Sequence, residues 1–253
     1  MRKEMGLLLI LIVLTTGMAM AVSDKNGKED SQADEQNPII TIVDPVRGIA
    51  KAEFIHYDKG QQKNMRTSSP QIGSGTCWST FATWNTNLPV SYAINPSNDQ
   101  GLSSVQIESA ISTSAETWDN ATGEELFNNV YNIDYRARYG KFDGKNSIVF
   151  GKTRPGIIAV TSIWYNTGTK QIYEFDMKFN TYYRWGNVYT NTYQYLMDLQ
   201  DIATHELGHG VGMDDIYTNS CSDVTMFGYG YYRETYKRDL AGPDIEGLLS
   251  LYP

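Results

Sequence analysis

The stretch from Asp201 to Asp215, D-I-A-T-H-E-L-G-H-G-V-G-M-D-D, constrains this chain more than any other part of it. Residues four apart on a helix project from one face, so His205 and His209 offer two imidazoles to a single zinc ion. Glu206 follows the first of them, and its carboxylate can reach a water beside the metal without being a ligand itself. The chain has 253 residues and only 3 histidines, two of them in this string, so an ordinary pair of surface or core histidines accounts for it poorly. Zinc held by two histidines needs a third protein ligand and an open position. Gly212 tolerates positive φ and lets the chain turn back, which brings Asp215 towards the metal. Asp214 is the neighbour that would serve in its place, and a solvated loop or calcium binding is the other use of this acidic pair. The remaining histidine, His56, lies far upstream.

Residues 1–21 read as a secretory signal peptide. Arg2 and Lys3 form a charged start, residues 7–14 are apolar, and Ala19-Met20-Ala21 supplies small residues for cleavage. The apolar run falls short of the roughly 20 residues that span a bilayer, which disfavours an uncleaved anchor. The expected location is therefore secreted, with no stable membrane insertion once the signal is gone. Export makes Cys77 and Cys221 a candidate disulfide; the alternative is two buried thiols. Residues 22–38 are polar and read as solvated, and residues 39–57 suggest two short strands around a turn. Residues 59–75 are again polar and read as a linker. A boundary near Thr76 then separates residues 22–76, an N-terminal extension or pro-segment expected to be partly disordered, from a catalytic domain over residues 77–253.

The second region has the pattern of an α+β domain. Strands are expected over residues 88–94, 130–135, 147–150, 157–165 and 172–179. Ser103 and Gln106 have the spacing of a capping box, opening a helix whose Ile107, Ile111, Ala115 and Trp118 form one apolar face. A second helix is expected over residues 192–210, with Leu199, Ile202 and Ala203 facing inward, and a third opens at Pro243. Against 29 acidic residues stand 21 basic ones, and a net charge of −8 with no basic cluster excludes nucleic acid as a partner. The chain is expected to be a monomer.

The zinc string, H-E-x-x-H-x-x-G-x-x-D, resembles the signature of metzincin metalloproteases, and much of the rest resembles their matrixin branch. Phe150-Gly151-Lys152, the strand over residues 157–165, and Glu174 to Trp185 are similar to the strands leading to the active-site helix. Thr225-Met226 resembles the Met-turn beneath the zinc, and Asp244-Ile245-Glu246-Gly247 the closing helix. The resemblance implies a zincin-like domain: a mixed, twisted sheet of about five strands and three main helices, one carrying HExxH. It implies one catalytic Zn2+ on His205, His209 and Asp215, with Glu206 as catalytic general base, in a secreted endopeptidase acting on proteins or peptides. It also implies that a peptide substrate pairs with the edge strand over residues 157–165.

The departures from the family pattern have consequences. Asp in place of a third His lowers the formal charge of zinc plus ligands, so the activated water is expected to be less acidic than in a three-histidine relative. No histidines remain for a second, structural zinc site. Cys77 lies outside any matrixin inhibitory motif, and Tyr229 is out of register for a metal-reaching tyrosine. Calcium binding is left open. The rival from another class is an exported, non-catalytic zinc-bound module that binds peptides or surface proteins. A narrow amidase acting on cell-wall peptides is a third reading.

Overall fold

Eight segments pair into one mixed sheet, and three helices cover it. In chain order these are β1 (Ile39–Asp44), β2 (Ile49–Asp58), β3 (Tyr92–Ile94), α1 (Ser104–Asp119), β4 (Asn132–Ile133), β5 (Asn146–Gly151), β6 (Ile157–Asn166), β7 (Ile172–Asn180), α2 (Leu199–Gly210), β8 (Tyr229–Gly230) and α3 (Gly242–Leu251). The computed structural model describes residues 35–61, 65–67 and 71–253. The expected signal peptide and the polar residues up to 34 lie outside them.

The sheet order is β8-β2-β6-β7-β5-β3-β4, with β1 also paired to β2. Strands β4, β3, β5 and β7 are parallel neighbours, and β6 runs antiparallel to β7. These are the five strands expected from the sequence. Beyond them, the hairpin of β1 and β2 continues the sheet, because β2 lies antiparallel along the outer edge of β6 from Tyr57 opposite Ile157 to Ile49 opposite Asn166. The expected two short strands around a turn thus form, and one of them extends the main sheet. β8 pairs parallel with the far side of β2, Tyr229 opposite Tyr57.

Helix α1 begins as its sequence predicts. Ser103 caps it, Gln106 completes the capping box, and Ile107, Ile111, Ala115 and Trp118 are all buried. Trp118 donates its indole N–H to the Thr204 carbonyl at 2.7 Å, and Ser114 donates to the Gln200 carbonyl at 3.0 Å, which fixes α1 against α2. Helix α2 corrects the sequence expectation at its start. It opens at Leu199 rather than near residue 192, because Asp198 accepts from the Asp201 N–H and is held by Arg238 at 2.6 Å. Residues 196–198 form a short strand with residues 184–186 instead. The strands expected over residues 88–94 and 130–135 shrink to their C-terminal and central residues, β3 and β4. Helix α3 opens with Pro243 in its first turn as expected, burying Leu248 but leaving Leu249 exposed.

Cys77 and Cys221 form a disulfide, closing the alternative of two free thiols. No helix among the described residues is long and apolar enough to cross a membrane.

Candidate metal centre

Helix α2 is almost wholly buried although it carries Asp201, Thr204, His205, Glu206 and His209. Polar groups are buried at such density only where partners or a ligand satisfy them. At the C-terminal end, orphan carbonyls are met by Trp84, which donates to Gly210 at 2.8 Å, and by the Tyr252 hydroxyl, which donates to Val211 at 2.9 Å. Gly212 then turns the chain with φ of +101°, and a Cβ there would lie 1.9 Å from the Ala82 carbonyl oxygen. Only glycine fits. The turn returns Asp215 to the face of α2 that bears both histidines.

His205 and His209 each have one ring nitrogen fixed by a backbone carbonyl. Nδ1 of His205 is 2.8 Å from Thr225 O, and Nδ1 of His209 is 2.9 Å from Met213 O. A carbonyl only accepts, so both Nδ1 atoms carry the proton and both Nε2 atoms present a lone pair. Those two Nε2 atoms are buried and find no hydrogen-bond partner among the described residues. Both face Asp215 Oδ1, at 3.3 and 3.6 Å. Burial holds the His205 ring well below its ordinary pKa and the His209 ring down to about 4, so both imidazoles stay neutral, the form that binds a metal. Asp214 turns away: its Oδ1 accepts the Asp215 N–H at 2.9 Å and its Oδ2 lies 3.5 Å from the Ser79 hydroxyl.

Glu206 stands beside this triad. Burial, then the Asp215 charge, pushes its carboxyl up to about 8, while the Thr161 hydroxyl, donating from β6 at 2.5 Å, opposes that rise. Its other oxygen is 3.2 Å from Nδ1 of His56. His56 lies far upstream of the zinc string in the sequence, but strand β2 brings its ring centroid to 3.9 Å from that of His205. His56, His205 and Glu206 make a second group of donors close enough to share an ion. In that group, however, the His56 nitrogen and the Glu206 oxygen already face each other.

Further residues join the site that the sequence did not single out. The Tyr217 hydroxyl donates to Asp215 Oδ2 at 2.9 Å, and the Asn37 amide donates to the same oxygen at 2.8 Å. Asn37 and Tyr217 also bond each other. Lys237 is fully buried, donating to the Tyr229 carbonyl at 2.6 Å and paired with Glu234 at 2.9 Å. Tyr217, two residues past Asp215, is the one of these that spacing could have suggested. Below the triad, Met226 packs so closely on α2 that a Cβ on Gly208 would lie 2.3 Å from its sulfur. The backbone N–H groups of Thr225 and Met226 both donate to Asp244 of α3, at 2.8 and 3.1 Å, which anchors the carbonyl that orients His205.

The expected open groove along β6 is absent from this conformation. β2 fills it, and Glu206, His205, His209 and Asp215 are at most 1% exposed.

A helix with HExxH under a mixed sheet, followed by a glycine turn and a methionine turn, defines the architecture of zinc metallopeptidases. The Matrixin family model matches residues 83–253, more than half of the chain, which therefore belongs to the matrixin family, a family of zinc metallopeptidases. No curated protein shows a significant match to it.

Proposed function

We propose that this chain is a secreted zinc-dependent endopeptidase in which His205, His209 and Asp215 hold the metal and Glu206 is the general base. The observation that carries the reading is the pair of buried, unpartnered Nε2 atoms converging on one carboxylate oxygen, each ring oriented from behind by a carbonyl. Zinc bound there would supply an activated water and a Lewis acid for the scissile carbonyl. Glu206 takes the proton as the water attacks and passes it to the leaving amine, and Thr161 steers its carboxylate. The edge of β6 aligns the peptide by main-chain pairing. Tyr217 holds Oδ2 of Asp215 and so orients the carboxylate towards the two histidines.

Export is supported by the charged, apolar and small-residue order of residues 1–21 and by the Cys77–Cys221 bridge. Residues 22–76 belong to the pre-catalytic part of the chain, and residues 77–253 to the catalytic domain. The chain acts as a monomer on protein or peptide substrates. Among the described residues, the groups of three or more His, Cys, Asp or Glu side chains close enough to share an ion both lie at the zinc site.

Chelator-sensitive cleavage of unfolded protein by the zinc-loaded chain, once its cleft has been freed, tests the reading. The full burial of Glu206 gives the non-catalytic binding module its one supporting observation. Tight peptide binding without turnover, in a chain whose cleft has been freed, would favour that module.

A further inference from the structure

The loop between β4 and β5 gathers positive charge on an acidic molecule. Arg136, Arg138, Lys141 and Lys145 follow one another closely in the chain, and all four are exposed. They line one small cavity of about 170 Å³, together with Asp143 and Ser147. Lys145 has an acidic neighbour in Asp134 at 4.0 Å. The side chains of Arg136, Arg138 and Lys141 have no hydrogen-bond or ion-pair partner among the described residues. Like charges around one cavity repel, and a bound anion relieves that repulsion. Ser147 is only 3% exposed, and its hydroxyl finds no partner among the described residues, which leaves a donor at the cavity wall. The loop backbone is fixed in advance. Asn95 donates to the carbonyls of Tyr135 and Ala137 at 3.2 and 3.1 Å, and the N–H groups of Gly140 and Lys141 donate to Asp176 at 2.7 and 3.1 Å. A ligand therefore meets cations on a frame that needs little further ordering. A larger cavity of about 650 Å³ shares Arg136 and Lys145 with the first and adds Ser91, Asn132 and the exposed Ile133. Hydroxyl and amide groups around an apolar contact complement a hydroxylated ring.

We propose that the cavity lined by Arg136, Arg138, Lys141 and Lys145 binds a phosphate or sulfate monoester carried on a sugar ring. The two guanidinium groups match the oxygens of a tetrahedral oxyanion in pairs, and the two ammonium groups act as point charges. Ser147 donates a further hydrogen bond. Asp143 is the one carboxylate on the wall, so a positive excess remains. The ring of the ester lies in the larger cavity, against Asn132 and Ile133. A net charge of −8 over the whole chain repels an extended polyanion, so the site suits a compact ester and not a charged polymer. It shares no residue with the metal centre and does not rest on the endopeptidase reading.

The test titrates the full-length chain with glucose 6-phosphate and with glucose 6-sulfate by calorimetry, at about 0.15 M salt. Inorganic phosphate and a short oligoglutamate are the comparison probes. The variants are Arg136→Gln, Arg138→Gln and Ser147→Ala. Both arginines are exposed, so their replacement leaves the melting temperature unchanged and keeps the test readable if the buried serine variant folds poorly. Saturable binding of at least one ester is expected, weakened about tenfold or more by either arginine change and about threefold or more by Ser147→Ala. The tighter ester identifies the source of the oxyanion. Inorganic phosphate should bind about tenfold more weakly, because it leaves the larger cavity unfilled. Equal affinity for it would overturn the part given to the sugar ring. Absence of saturable ester binding, or binding that both arginine variants retain in full, would overturn the site itself. Tighter binding of oligoglutamate would overturn it in favour of an acidic peptide.

Discussion

Two pairs of buried carboxylates in this molecule meet opposite fates. On β7, Glu174 and Asp176 are fully buried, yet they are surrounded by backbone donors: Gly140, Lys141 and Ser147 donate to Asp176, and Asp143 and Gly144 donate to Glu174. They bind a loop to the sheet. Glu206 and Asp215 are as deeply buried, but side chains donate to them, and the Nε2 atoms of the two imidazoles beside them find no hydrogen-bond partner among the described residues. Burial alone therefore does not mark a functional carboxylate. What marks one is a donor set that the fold orients without satisfying.

That contrast predicts different responses to mutation. Glu206→Gln should cost about 10²–10⁴-fold in cleavage by the freed enzyme while leaving stability and zinc content nearly unchanged. Stability and activity measured on one preparation check this, and a large fall in melting temperature would place Glu206 with the structural pair. Asp176→Ala should do the reverse, lowering folding stability by about 2–4 kcal/mol in denaturant titration through the N–H groups it strands. The smallest effect is in pH. Burial raises Glu174 to about 7 and Asp176 to about 6, against the backbone hydrogen bonds that lower them. The folded state thus holds these protons more tightly than the unfolded chain does. Their contribution favours folding most below about pH 4 and diminishes as pH rises towards 7. Stability curves of wild type and Glu174→Gln should show a shallower decline across that window in the variant. An identical slope would mean that this pair is not the source.

Much of this was legible in the sequence, for local reasons. The zinc string, the capping box of Ser103 and Gln106 and the apolar face of α1 depend on spacings within one helix, which periodicity reports directly. The start of α2 is not legible locally, because residues 192–198 are helix-compatible and only the clasp of Arg238 on Asp198, 40 residues away, turns Asp198 into the cap. β4 is short because its residues are exposed at the sheet edge, where a β-rich run has little to pack against. The covering of β6 by β2 was illegible for a deeper reason. Strand register is a non-local property, and nothing in residues 49–58 names the partner more than a hundred residues downstream. His56 looked isolated for the same reason. Asn37 carries no spacing signal for its hydrogen bond to Asp215, 178 residues away, which only the folded chain creates.

The central claim concerns which oxygen completes the metal centre, and zinc analysis of the purified full-length chain with its Asp214→Ala and Asp215→Ala variants addresses it most directly. The account predicts about one zinc per chain in wild type and in Asp214→Ala, and a loss of about 10-fold or more in zinc affinity in Asp215→Ala. Full zinc in Asp215→Ala with depletion in Asp214→Ala would contradict it.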